Sequence, residues 1–192
     1  MSFKLENFVH NCQDAIKSDH AKAAISKLLA EVVTKPDEIY QQLGQPCSAK
    51  IERLHVSRDL TIINVVWAPK MTLLPHNHNM WAVIGVYCGR EDNIFWRRLD
   101  SDPAGQIEAA GAKSIGPGEV QALGEKLIHS VTNPTSNFTA AIHIYGGDFF
   151  AQERSEWDPQ SLQERHYDVN KNLMLFEAEN AILGLREKAS RQ

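Results

Sequence analysis

Two histidines one residue apart, His76 and His78, stand at the mouth of an apolar run in the stretch Pro75–Tyr87, PHNHNMWAVIGVY. On a strand, residues i and i+2 share a face, so both imidazoles point the same way from backbones roughly 6–7 Å apart, and Asn77 points the other. At that spacing both rings reach one transition-metal ion, for which imidazole suits Fe, Zn, Cu and Ni alike. A third histidine, His129, lies in LIHSVTNP, and a fourth, His143, precedes Tyr145 in Ala141-Ile142-His143-Ile144-Tyr145. Alternation places positions 141, 143 and 145 on one face.

The elements that must position these groups follow from the pattern. From about Phe3 to Val33 apolar residues recur at three-to-four spacing, with a break at Ser18-Asp19, which predicts two helices. Pro36, Asp37 and Glu38 open a third, and Gly44 closes it. Ile51–Val56, Thr61–Trp67, Trp81–Tyr87, Ile94–Leu99, Gln106–Ile115 and Phe138–Tyr145 are β-branched and aromatic runs divided by Gly, Pro, Asp and Asn. Short strands at that spacing predict an antiparallel sandwich or barrel. After Pro159 the pattern is helical again, with Val169, Leu173, Phe176 and Leu183 or Leu185 on a stripe behind an Asp168 cap. The expected organisation is a single unit of 192 residues: a helical extension over 1–48, a barrel over 49–150, and a loop and C-terminal helix over 151–192.

Composition narrows the function. A net charge of -4 offers no basic surplus for nucleic acid or an anionic membrane. No apolar run approaches the ~20 residues of a membrane span, and no signal segment opens the chain, so a soluble, cytoplasmic protein is expected. Cys12, Cys47 and Cys88 cannot all pair within one chain and lack metal-binding spacing, which fits a reducing compartment. The oligomeric state is not legible.

With Gly118, His129 and Asn133 at the spacing of the second cupin motif, and His76 and His78 at that of the first, the chain resembles the cupin superfamily. Gly124 and Lys126 replace a Pro and a Gly of the second motif. Lys70 replaces the first Gly of the first, and Trp81 and Ala82 occupy the place of its carboxylate ligand. The fold this implies is mainly β, a double-stranded β-helix or jelly-roll barrel, here flanked by helices. Among three-histidine cupins the chain looks like the cysteine dioxygenase family, and more like its bacterial branch acting on 3-mercaptopropionate. Trp67, PHNHNMWAVIGVYCG, LIHSVTNP and AIHIYGGDFFAQERSEWDP carry that likeness.

The resemblance implies a thiol dioxygenase: Fe(2+) on His76, His78 and His129, a small thiol and O2 as partners, and a sulfinate as product. It further implies that His143 holds the Tyr145 hydroxyl over the metal as catalytic residues and that Arg154 clamps the substrate carboxylate, with Arg53 in reserve; Trp81 reads as a substrate-pocket wall or a core aromatic. Ala141 stands where the family carries a Ser that fixes the histidine, so backbone or water is expected to orient His143. The cysteine of the thioether found in one branch falls on Ala82 or Val83, so no such bond is expected. A zinc- or nickel-dependent isomerase or lyase, and a non-catalytic binding cupin, are the rival readings.

Overall fold

The structure, a computed structural model, describes residues 3–99 and 105–189, with side chains described as far as residue 184. Three helices come first, α1 (Leu5–Ala15), α2 (Ala21–Val33) and α3 (Pro36–Leu43). Pro36 takes the first turn of α3 with Asp37 and Glu38, where the missing N–H costs nothing and acids meet the positive helix end. Gly44 ends it at φ 78, a conformation that suits glycine.

Eleven strands follow among the described residues. They are β1 (Lys50–Val56), β2 (Thr61–Trp67), β3 (Thr72–Asn77), β4 (Ala82–Cys88), β5 (Glu91–Arg98), β6 (Ile107–Ile115), β7 (Val120–Leu123), β8 (Ile128–Thr132), β9 (Thr139–Tyr145), β10 (Ser155–Trp157) and β11 (Glu164–His166). They form two antiparallel sheets, ordered β1-β2-β9-β4-β7 and β11-β10-β3-β8-β5-β6. The fold is the expected mainly β double-stranded β-helix, with helices before and after it. The segment expected as loop before the last helix also contributes β10 and β11, which extend the six-stranded sheet beside β3.

Strands β2, β4 and β9 are buried along almost their whole length, because apolar layers cover both faces of their sheet. Ile63, Val65, Trp67, Ala82, Ile84, Val86, Ala141 and Tyr145 face the core between the sheets. The alternate residues Ile62, Val66, Val83, Tyr87, Ile142 and Ile144 pack against Phe8, Cys12, Ile25, Leu29, Val33 and Ile39 of the N-terminal helices. Near-continuous apolar runs are what a doubly covered strand requires.

Helix α4 (Val169–Ala189) opens where Asp168 Oδ1 accepts the Lys171 N–H at 3.0 Å, as the cap pattern predicts. Val169, Leu173 and Leu183 are half-buried and Phe176 is buried against Trp67, at 5.4 Å between ring centroids. The Leu185 side chain lies outside the described residues. Asn180 exchanges two hydrogen bonds with the Ala49 backbone, fastening α4 to the start of β1. No helix among the described residues is long and apolar enough to cross a membrane, and all three cysteines are free.

Gly85 marks a close approach of α2 to the sheet. A Cβ there would meet Leu29 Cγ at 2.7 Å and Val33 Cγ1 at 2.8 Å. Overpacking of a tight core costs roughly 1–3 kcal/mol, so Gly85→Ala is expected to lower stability by that amount in urea titration. Unchanged stability would mean that α2 is not seated on β4.

Candidate metal centre

His76 near the end of β3 stands directly opposite His129 on β8. His78 follows one residue beyond the end of β3, so the shared face expected of one regular strand is reached differently. The β3–β8 register shifts between Leu73 and His76, and the chain turns out of the sheet through Asn79 at φ 53. The result is a closer convergence than a flat strand provides. His78 Nε2 lies 3.2 Å from His76 Nε2 and 3.3 Å from His129 Nε2, and the ligand nitrogens all fall within 4.8 Å of one another.

The Nδ1 atoms of His76 and His129 are spoken for. His76 Nδ1 donates to the Leu74 carbonyl at 2.9 Å, and His129 Nδ1 donates to Asn93 Oδ1 at 2.8 Å. A donating Nδ1 leaves the Nε2 lone pair of a neutral ring free for a metal. Burial holds all three rings neutral. It pushes His76 down to about 4, and it holds His78 and His129 well below the ordinary imidazole range, with the neighbouring imidazoles adding to the effect. At most one Nε2–H can sit in the centre and donate to a neighbour; the remaining lone pairs face each other, a repulsion that a bound cation removes. These residues fit a divalent transition metal on three nitrogens with positions left open.

Above the triad, alternation on β9 puts His143 and Tyr145 side by side, with His143 Nδ1 3.1 Å from the Tyr145 hydroxyl. Tyr145 packs against the His78 ring at 5.0 Å between centroids. Burial raises its pKa well above the ordinary phenol value against a smaller opposing pull from Arg154, so it stays protonated. The expectation that backbone or water orients His143 is corrected. Glu91 of β5, fully buried, meets His143 Nε2 at 3.2 Å and accepts the Trp67 indole N–H at 2.7 Å on the same oxygen. Sequence reasoning missed Glu91 and Asn93 because it began this strand at Ile94 and read the polar residues before it as turn. The signal was present as an inward alternation, Glu91-Asn93-Phe95, carried into the core by the β5 pairing with β8.

Asn77 and Asn79 do not border the open metal positions. Asn77 Oδ1 accepts the Ser155 N–H at 2.8 Å, and Asn79 Nδ2 donates to the Glu153 carbonyl at 3.0 Å. They grip the two neighbours of Arg154, so the run His76-Asn77-His78-Asn79 alternates metal ligands with fasteners for that arginine. Arg154 is 4% exposed, its guanidinium 4.0 Å from the Phe149 ring centroid and 4.3 Å from that of Tyr167. Its Nη1 donates to the Phe149 carbonyl, while Nε and Nη2 are buried with no partner among the described residues.

Phe149 and Tyr167, both unforeseen, close the centre. Phe149 lies on Tyr145 at 4.3 Å and Tyr167 on His76 at 5.7 Å between centroids. With Ile51, Ile63, Val65, Leu73 and Val131 they enclose a cavity of about 30 Å³ over the triad. None of the three expected substrate contacts lines it: Arg154 stacks on Phe149 and Tyr167, which do, and the other two lie elsewhere. Arg53 is exposed and stacks on Phe150 at 3.8 Å, on the solvent side of the Phe149–Phe150 pair. Trp81 falls out of phase with Ala82 and Ile84, which face the core, and packs instead in the helix-side layer, where its ring closes on Gly146. Ala82 stands directly opposite Tyr145, and Cys88 lies opposite Ala140 at the far end of the pairing, so no cysteine on β4 stands beside the tyrosine.

No family model matches the chain. Solved structures similar to it include a cupin described as RmlC-like with a double-stranded β-helix fold, from Methanocaldococcus jannaschii, at 10% identity and TM-score 0.45 over 57% of this chain and 88% of that one. Oxalate decarboxylase from Bacillus subtilis matches at 16% identity and TM-score 0.39 over 50% of this chain. This chain spans 23% of that enzyme's length. Oxalate oxidase in complex with glycolate matches at 16% identity and TM-score 0.41, over 54% of this chain and 53% of that one.

Replacing His76, His78 or His129 by Ala is expected to remove most bound metal, measured by elemental analysis after purification. Asn93→Ala, which spares the ligands, is expected to weaken binding by roughly 10–100-fold in chelator competition. Full metal retention in a histidine variant would exclude that residue as a ligand.

Proposed function

We propose that this protein is a cytoplasmic, iron-dependent thiol dioxygenase, which oxidises a small thiol carboxylate of the 3-mercaptopropionate or cysteine type to its sulfinate. The observation that supports it best is a pairing: an all-imidazole triad with no carboxylate ligand, and next to it a buried guanidinium with open donors. Each feature asks for negative charge on the same ligand. Three neutral imidazoles leave the charge of a divalent ion uncompensated, which favours a thiolate in an open position. A guanidinium short of partners in an apolar wall favours a carboxylate, which it meets through two parallel N–H bonds.

Ferrous iron, when bound to His76, His78 and His129, would supply the one-electron chemistry that lets a thiol react with O2. The remaining work belongs to the chain. Arg154, held by Asn77 and Asn79 through its neighbours, anchors the carboxylate and fixes where the sulfur falls. Such positioning can lower a barrier by several kcal/mol. Phe149, Tyr167 and the aliphatic wall keep water from the reacting sulfur, and since a cavity of about 30 Å³ is the size of one water, a short ligand enters only as its walls give way. Tyr145, braced by His143, borders the open positions. The balance is closed: both oxygen atoms of O2 end on sulfur, the thiolate becoming a sulfinate as sulfur gives up four electrons.

An oxygen electrode with the iron-loaded protein and cysteine, cysteamine or 3-mercaptopropionate tests the reading. Oxygen uptake with formation of a sulfinate is expected for a thiol carboxylate. Arg154→Ala should cut kcat/KM for it by about 10–150-fold, as a hydrogen-bonded charge of 1.5–3 kcal/mol implies, and leave cysteamine much less affected. No uptake with any thiol, together with firm zinc or nickel retention, would favour Lewis-acid chemistry instead; ligand binding without turnover would favour a binding protein.

A further inference from the structure

We propose that Glu91 is a positioning residue for Tyr145: it fixes the proton of His143 on Nε2, so that the phenol donates to Nδ1 and turns an acceptor oxygen to the cavity. The inference rests on the functional reading only in taking Tyr145 as a group that faces the ligand.

The direction of each bond follows from what the atoms can do. An indole N–H can only donate, so Glu91 Oε1 accepts from Trp67 at 2.7 Å. His143 Nε2 approaches the same oxygen at 3.2 Å; with Glu91 as carboxylate and the ring neutral, the state the proposal takes, the ring supplies the proton. A neutral imidazole protonated on Nε2 has its lone pair on Nδ1, which faces the Tyr145 hydroxyl at 3.1 Å. The phenol proton therefore points at His143, away from the cavity, and oxygen lone pairs are left for the ligand. Nothing on the strand competes. Ala141, the inward neighbour on β9, has no hydroxyl, and the carboxylate arrives from β5 in the other sheet. Trp67 holds Glu91 while α4 covers Trp67 through Phe176, so the orientation is set in the core between the two sheets.

The consequence is selectivity. A ligand beside an acceptor oxygen gains by presenting a donor, as an amino thiol carboxylate does with its amine and 3-mercaptopropionate does not. One neutral hydrogen bond corresponds to a preference of about 10-fold.

Long-range proton–nitrogen NMR of the zinc-loaded protein reads the His143 tautomer directly, with the signal assigned through its loss in His143→Asn. The expected result is an Nε2-protonated ring in the wild type and in Glu91→Gln, whose amide oxygen still accepts, and a mixture of tautomers in Glu91→Leu. An Nδ1-protonated ring in the wild type overturns the proposal whether or not Glu91→Leu folds, and so does an unchanged ring in a folded Glu91→Leu. In the iron-loaded protein, kcat/KM for cysteine should exceed that for 3-mercaptopropionate by about 10-fold in the wild type and Glu91→Gln, and by much less in Glu91→Leu. A wild-type preference for 3-mercaptopropionate overturns the acceptor assignment. Failure of every variant to oxidise any thiol would instead sink the dioxygenase reading, and the NMR result would still decide the role of Glu91.

Discussion

Three neutral imidazoles with their Nε2 atoms converging in a small buried cavity are the constraint around which this fold is arranged. The close approach of His78 to both His76 and His129 opposes lone pairs that hydrogen bonding cannot fully satisfy. Burial keeps the rings unprotonated, so the natural relief is a cation, and the surroundings are built to hold the rings in that strained convergence until it arrives. The Leu74 carbonyl and Asn93 set the orientation of His76 and His129 from behind, and the β3–β8 pairing sets their separation.

The charges around the triad are arranged in layers. Among the described residues no carboxylate joins the ligand cluster, while buried Glu91 gives one oxygen to Trp67 and His143 and keeps the other buried without a partner. Glu156, buried beside His76 across the β3–β10 pairing, is occupied by Arg165, Lys171 and Asn172. Arg154, stacked on the Phe149 and Tyr167 rings that wall the cavity, is, among the described residues, the cation with buried, unpartnered donors. A single anionic ligand that spans metal and guanidinium would therefore complete both, which links the geometry of the sheet to the class of substrate.

Much of this was legible in the chain. Period-2 alternation placed His143 and Tyr145 on one face, and β-branched and aromatic runs announced the strands, while likeness put Ala82 or Val83 beside the tyrosine, of which Ala82 is the one opposite it. Helix caps at Pro36, Gly44 and Asp168 behaved locally, as such signals do. What escaped was of two kinds. Glu91 and Asn93 are polar residues deep in a core, where composition argues for a turn and only the opposite sheet supplies their partners. Arg53 and Trp81 were placed by likeness, yet a side chain's destination depends on strand phase: Trp81 is one residue out of register with the inward face, and Arg53 ends on the outer side of Phe150. The same kind of tertiary detail makes Asn77 and Asn79 supports for Arg154.

X-ray absorption at the iron edge, recorded on ferrous protein before and after anaerobic addition of cysteine or 3-mercaptopropionate, tests the central claim most directly. The account predicts a first shell of imidazole and other light-atom ligands alone before addition, and one new sulfur neighbour afterwards, at about the 2.3 Å typical of metal–thiolate bonds. A shell that gains no sulfur from either thiol would contradict it, because the triad would then not be the place where the thiol is taken.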